Sequence, residues 1–335
     1  MSLALLIEWS LKSVVIIIII LGGFAYLTLF ERRVLARIQT RIGPNRAGPF
    51  GLLQPIADAI KLIFNEELIP AQADKVLFLV APVITVVPAL IILAVIPLGP
   101  EITIFGRSYS MGLASSVNVG VLYILAVASI AVYGIVIAGW ASGNKYALMG
   151  GVRSTAQMVS YELALALAFV GPILLAGSMS IDAIIDGQRQ LWYVILQPLG
   201  FLIFVIAAVA EVNRSPFDMP EAEQELVAGY HAEYSGMKFA LFFMAEYGKM
   251  IAVSFIAATM FLGGYLGPWV DRWPILGPAY LVIKVIALLF LMVWLRATYP
   301  RFRYDQLMAF GWKILLPLGL LNVVVTAVFI VLAGG

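Results

Sequence analysis

The chain has no cysteine and one histidine in 335 residues. Thiolates hold iron–sulfur clusters, and disulfides need paired cysteines, so both are excluded. A zinc site would need an unusual all-carboxylate shell. Charge is scarce too, at 12% of residues, against about 25% in soluble globular proteins. Hydrophobic residues make up 62%, and the mean hydropathy is +1.00. Neither an ordinary water-soluble domain nor a disordered chain has that balance. The net charge of +2 gives no reason to expect a nucleic acid partner. Glycine-rich phosphate loops, the dinucleotide-binding fingerprint and a Ser/His/Asp set are also missing. Nothing in the chain can carry electrons, so it has no redox centre or catalytic residue of its own.

What is present is a series of apolar runs long enough to cross a bilayer, which takes about 20 residues. Eight are read, near 3–30, 76–98, 117–139, 156–177, 197–212, 239–262, 279–297 and 313–333. The fifth is short. The first is long enough that it must tilt or protrude. It lacks the basic start and small-residue site of a cleaved signal. Long apolar runs with weak alternation argue against a β-barrel. The expected fold is an all-α integral membrane protein of about eight transmembrane helices, forming a single membrane domain over 1–335.

The basic residues set the expected orientation. The loops after segments 1, 3, 5 and 7 hold 15 of the 21 Lys and Arg residues, and the opposite side holds 4. Lys249 and Lys284 fall inside segments. Basic loops stay on the cytoplasmic side, which puts both termini outside. An energy-transducing membrane, such as a bacterial inner membrane, is the expected location.

Residues 32–75 form the first cytoplasmic loop in this reading. After the turn-rich stretch Gly43-Pro44-Asn45-Arg46-Ala47-Gly48-Pro49 comes an amphipathic pattern. Leu52, Leu53, Ile56, Ile60 and Ile63 share one face; Gln54, Asp58, Lys61 and Asn65 recur on the other. Such a helix lies on the membrane surface, or its polar stripe lines a cavity; the pattern alone favours the former.

Acids inside the apolar segments are more telling. Glu162, Glu211 and Glu246 lie on three different segments, all toward the basic side. An ionisable group there is costly and marks a functional site by default. The alternative is helix-to-helix pairing, with Lys249 one turn from Glu246 and Lys284 in segment 7. The loop over 211–238 adds Glu221, Glu223 and Glu225 after two helix-breaking prolines, Pro216 and Pro220. Clustered carboxylates raise one another's proton affinity, so such a loop can take up a proton near neutral pH. His231, which follows, is expected to be structural.

Five motifs then come in order. They are Glu31-Arg32-Arg33 through Gly43-Pro44-Asn45-Arg46 and on to Gln54-Pro55-Ile56-Ala57-Asp58; Val132-Tyr133-Gly134 leading to Gly139-Trp140-Ala141; Ser160-Tyr161-Glu162; Arg214-Ser215-Pro216-Phe217-Asp218 through Glu225; and Arg296 through Pro300-Arg301-Phe302-Arg303-Tyr304-Asp305. Together they resemble the H-subunit family of proton-pumping NADH–quinone oxidoreductase, respiratory complex I, over nearly the whole chain. The resemblance implies an eight-helix subunit at the junction with the peripheral arm. It would form much of the quinone chamber, with quinone bound jointly with partner subunits and no flavin, iron–sulfur cluster or metal in this chain. Arg32, Gln54 and Asp58 would belong to the quinone passage. Glu162, Glu211, Glu221, Glu223, Glu225 and Glu246 would belong to the acidic path for proton coupling. Implied partners are the iron–sulfur and quinone-site subunits of the peripheral arm, small membrane subunits, antiporter-like subunits and the lipid bilayer. Some members carry an acid in helix 3, where this chain has Ser129. Two alternatives stay open: the related ion-coupling anchor of a membrane-bound hydrogenase, and a stand-alone secondary transporter.

Overall fold

The computed structural model describes residues 3–104, 107–114, 117–218 and 229–334. The expectations for Glu221, Glu223 and Glu225 therefore lie outside the described residues.

The fold is all-α and membrane-spanning. Among the described residues seven helices are long and apolar enough to cross a bilayer, with one shorter apolar helix beside them. In chain order the helices are α1 (Leu3–Ile38), α2 (Gln54–Phe64), α3 (Lys75–Ile91), α4 (Gly120–Ala141), α5 (Lys145–Ala176), α6 (Ile181–Asp186), α7 (Tyr193–Leu196), α8 (Pro198–Glu211), α9 (Gly236–Phe261), α10 (Leu276–Thr298), α11 (Tyr304–Phe310) and α12 (Leu316–Gly334). A π-helical turn, Gly311–Leu315, joins α11 and α12 into one long element.

Two helices outrun their apolar stretches. α1 continues through Arg32, Arg33 and Arg37 to Ile38, because charge alone does not end a helix. It stops before the turn-forming Gly43-Pro44. α5 begins at Lys145, where the Asn144 side chain accepts from the Tyr146 backbone N–H. At 14 residues α8 spans about 21 Å, short of the ~30 Å hydrocarbon core. Hydropathy did not suggest the short antiparallel hairpin between α3 and α4, in which Ile102 faces Tyr109 and Ile104 faces Arg107.

Glycines set the closest helix contacts. A Cβ on Gly134 of α4 would collide with Thr85 of α3, and one on Gly139 would lie 2.7 Å from the Ala147 carbonyl of α5. Small residues let backbones approach where lipid gives helices no hydrophobic reason to associate. The larger apolar core gathers around Phe169, Phe204 and Phe261 from α5, α8 and α9.

Candidate functional site

α2 starts after a left-handed Phe50 (φ 52°), whose carbonyl accepts from Arg33. Its polar stripe divides. Arg32 of α1 donates to Asp58 Oδ2 at 2.7 Å, and Gln54 Nε2 donates to Asp58 Oδ1 at 2.9 Å. The three residues expected at the quinone passage are thus one hydrogen-bonded chain, while Lys61 and Asn65 are exposed. The apolar face points away from the protein, with Ile56, Ile60 and Ile63 at least half exposed. The far end of α2 is tied to the start of α9. Ser235 Oγ donates to the Glu66 carbonyl and accepts from Leu68 N, and Lys238 pairs with Glu67 at 2.7 Å.

Glu31, the neighbour of Arg32, is only 3% exposed. It pairs with Arg296 of α10 and with Arg214, whose Nη1 lies 3.3 Å away. Arg214 also pairs with Glu246 of α9, and its guanidinium lies 4.6 Å from the Tyr247 ring centre. Two cations and two carboxylates form a neutral tetrad, buried except at the partly exposed Arg296, tying α1, α9 and α10 to the segment after α8. That segment is held from below. Gln157 of α5 donates to the Ala210 and Phe217 carbonyls, both at 2.8 Å, and to Asn213 Oδ1 at 3.1 Å. Asn213, in the left-handed region at φ 56°, donates in turn to Ser154. Asp218 follows, paired with Arg301 at 3.1 Å. Burial lifts its carboxyl above the usual range, opposed by the cations Arg301, Arg296 and Arg214.

A second charge group lies one turn along α9. Lys249 is an electrostatic neighbour of Glu211, Glu246 and Glu162. Glu211 and Glu162 also interact with each other. The three membrane acids expected from sequence are therefore brought together, but not as equals. Glu246 takes an arginine as its ion-pair partner rather than the nearby lysine. Lys284 pairs with none of them. Its ammonium donates to the carbonyls of Leu262, Gly264 and Leu266 at 2.7–2.8 Å, closing the C-terminal end of α9, where helix carbonyls lack partners. Ser129 donates to the Ala126 carbonyl of its own helix. His231 is buried against the rings of Tyr230 and Phe239, and burial pushes its pKa down to about 4. Among the described residues no group of His, Asp and Glu could hold a metal ion.

Residues 11–327 match the family described as NADH dehydrogenase. The chain is 53% identical over 326 residues to the H subunit of the NADH-quinone oxidoreductase of Thermomicrobium roseum, covering 94% of each chain. The chain belongs to the H-subunit family of NADH–quinone oxidoreductase. With the H subunit numbered 1 of the Geobacter sulfurreducens enzyme it shares 50% identity over 331 residues, covering 95% of this chain and 94% of that one. The family is one of membrane subunits of an oxidoreductase complex.

Sequence reasoning assigned no role to Glu31, Arg214 or Arg296, although all three stand in the motifs that carry the resemblance. A signal was available: an acid at the end of an apolar run needs a cation nearby, because a buried unpaired carboxylate is too costly to keep. Which arginines supply it is not local information, since Arg214 and Arg296 lie 183 and 265 positions from Glu31.

Proposed function

We propose that this chain forms much of the quinone chamber of a proton-pumping NADH–quinone oxidoreductase and couples quinone reduction to proton translocation. One observation supports the reading: two charge groups, the Arg32–Asp58 pair and the tetrad at Glu31, start from adjacent positions of α1. Gln54 and Asp58 on α2 lead to Arg32. Its neighbour Glu31 leads through Arg214 to Glu246, and one turn on lies Lys249 with Glu211 and Glu162. In this reading the end of α1 relates the surface helix α2 to the carboxylates inside the membrane bundle.

In this reading α2 lies at the cytoplasmic surface, its exposed isoleucines toward lipid and toward the quinone's apolar tail. The polar pair Arg32–Asp58 meets the headgroup as it passes toward electrons delivered by iron–sulfur subunits of the peripheral arm. Reduction of the quinone changes the charge and proton demand at that end. The tetrad transmits the change, because a buried ion pair that loses one charge leaves its partner uncompensated. Glu162, Glu211 and Glu246 then adjust their protonation, together with Glu221, Glu223 and Glu225 of the acidic loop, and antiporter-like subunits pump. Both termini lie on the outer side of an energy-transducing membrane.

Two variants test this in the assembled complex. Asp58→Asn keeps volume but removes the charge that pairs with Arg32 and one of the two acceptor oxygens; quinone reductase activity should fall while assembly persists. A normal rate and quinone affinity would return Asp58 to a surface role. Glu162→Gln cannot release a proton. In liposomes it should lower turnover, pumping or both, whereas an unchanged rate and proton-to-electron ratio would remove it from the path.

A further inference from the structure

All seven tryptophans are at least 40% exposed, although so large an apolar ring is usually well buried. Trp9, Trp140 and Trp294 stand within two turns of the ends of α1, α4 and α10. Trp192, Trp269 and Trp273 lie in connections between helices. An outward tryptophan at a helix end suits a membrane boundary, where the ring meets apolar carbon and the indole N–H meets headgroups or water.

The most exposed pair lies in the connection between α9 and α10, residues 262–275. With 23 residues α10 is about 35 Å long, slightly more than the ~30 Å hydrocarbon core. Arg296 of the tetrad is near one end of α10, so the connection before Leu276 sits at the opposite boundary. A tight turn forms there, with the Trp269 carbonyl accepting from the backbone N–H groups of Arg272 at 3.1 Å and Trp273 at 2.9 Å. Inside it Val270 is only 4% exposed, fastening the turn to the bundle, while Trp269 and Trp273 are 72% and 60% exposed. Asp271, between them, has a side chain 90% exposed. Trp269 is also left-handed, at φ 60°. Gly263 and Gly264 of the same connection take positive φ without steric cost. A bulky ring in that region is an outlier, and strain of this kind persists where something outside the local backbone uses it. Packing within the chain does not use it, since the ring points outward.

We propose that the 262–275 connection is a lipid anchor: the indoles of Trp269 and Trp273 insert between phospholipid headgroups and upper acyl carbons at that boundary, and Val270 passes the hold to the bundle, fixing the depth of α9 and α10. The occupant is phospholipid rather than a partner protein because of how the exposed tryptophans are distributed. A protein-binding patch gathers its aromatic anchors at one place. Here they recur at the ends of separate helices and in separate connections, as contact with a bilayer requires. Asp271 and Arg272, both exposed between the two rings, keep the turn itself at the polar level and let only the rings enter.

Site-specific photo-cross-linking in the assembled complex tests this. The photoreactive amino acid p-benzoyl-phenylalanine is placed at position 269, 271 or 273, and each complex is reconstituted in vesicles of phosphatidylcholine and phosphatidylglycerol, irradiated and digested for mass spectrometry. The expected result is phospholipid adducts at positions 269 and 273, several-fold more abundant than at 271. Cross-links from 269 or 273 to another subunit would overturn the inference and make the turn a protein contact. Equal adduct yields at all three positions, high or low, would also overturn it, because the rings would then have no lipid seat that the exposed Asp271 lacks. Position 273 is outside the left-handed region, so it still decides the matter if the complex altered at 269 does not assemble.

Discussion

Replacing Arg214 with methionine tests whether the buried tetrad is a real energetic unit. The guanidinium faces two carboxylates and the Tyr247 ring, and its side chain is 8% exposed. Removing it leaves Glu246 without its ion-pair partner and Glu31 with Arg296 alone. Breaking a buried pair by deleting one partner costs about 3–5 kcal/mol, because the remaining charge stays desolvated. Replacing both partners with apolar groups of similar size is close to neutral. Arg214→Met should therefore be destabilised by about 3–5 kcal/mol, and the double variant Arg214→Met with Glu246→Met should recover most of that loss. Groups in one network couple by roughly 0.5–3 kcal/mol, which a double-mutant cycle resolves. The assay is unfolding of the detergent-solubilised chain, followed by tryptophan fluorescence, for the parent, both single variants and the double variant. Redox activity need not survive in any of them, so stability is read apart from function. If Arg214→Met unfolds within about 1 kcal/mol of the parent, or the two substitutions simply add, the tetrad is a surface-like association of negligible worth.

Further expectations follow from neighbouring groups. Because the chain has no native cysteine, Gln39→Cys and Arg189→Cys variants can be labelled cleanly, and they should react from opposite sides of the membrane; labelling from one side would overturn the proposed orientation. His231 is held neutral, with its pKa pushed down to about 4. An unfolded histidine titrates near 6.5, so between these values the unfolded chain binds the extra proton and stability falls as pH falls. At pH 5 the loss from this residue should be about 2 kcal/mol relative to pH 7.5, and a His231→Phe variant should flatten that slope; an identical slope in the variant would refute the assignment. Lys284→Met removes three charge-assisted hydrogen bonds at the end of α9. It should lower stability by about 2–3 kcal/mol while the proton-to-electron ratio of the assembled complex is unchanged; a changed ratio would mean that Lys284 is more than a cap.

The spans were legible because lipid imposes one demand everywhere: about 20 apolar residues with every backbone group bonded internally. Hydropathy finds that demand but not the helix that fulfils it. It stops at Glu31, where composition changes, although α1 runs seven residues further because Arg, Leu and Ala continue a helix readily. It finds the short apolar helix α8, but gives no hint of the hairpin at 102–109, where three residue pairs carry too little pattern to register. The amphipathic stripe of α2 was visible as a periodicity. Periodicity cannot say what each face meets, however, and here Asp58 turns toward Arg32 while Lys61 stays exposed.

The charged residues mark the boundary of legibility most clearly. Sequence alone treats Lys249 and Lys284 alike, as two ammonium groups in apolar helices that need anionic partners. Lys284 lies nine residues into α10, close to where the chain returns after α9, so three carbonyls of that turn surround it. Peptide dipoles fixed by the backbone satisfy it completely. Lys249 lies mid-helix, where every carbonyl is already committed to the helix ladder, so only side chains or water can receive it. A cation met by backbone is anchored. A cation met by carboxylates is conditional, since each carboxylate can lose its charge by taking a proton. The same physical need, that a buried charge be compensated, thus gives a structural cap at one lysine and a neighbourhood of carboxylates at the other.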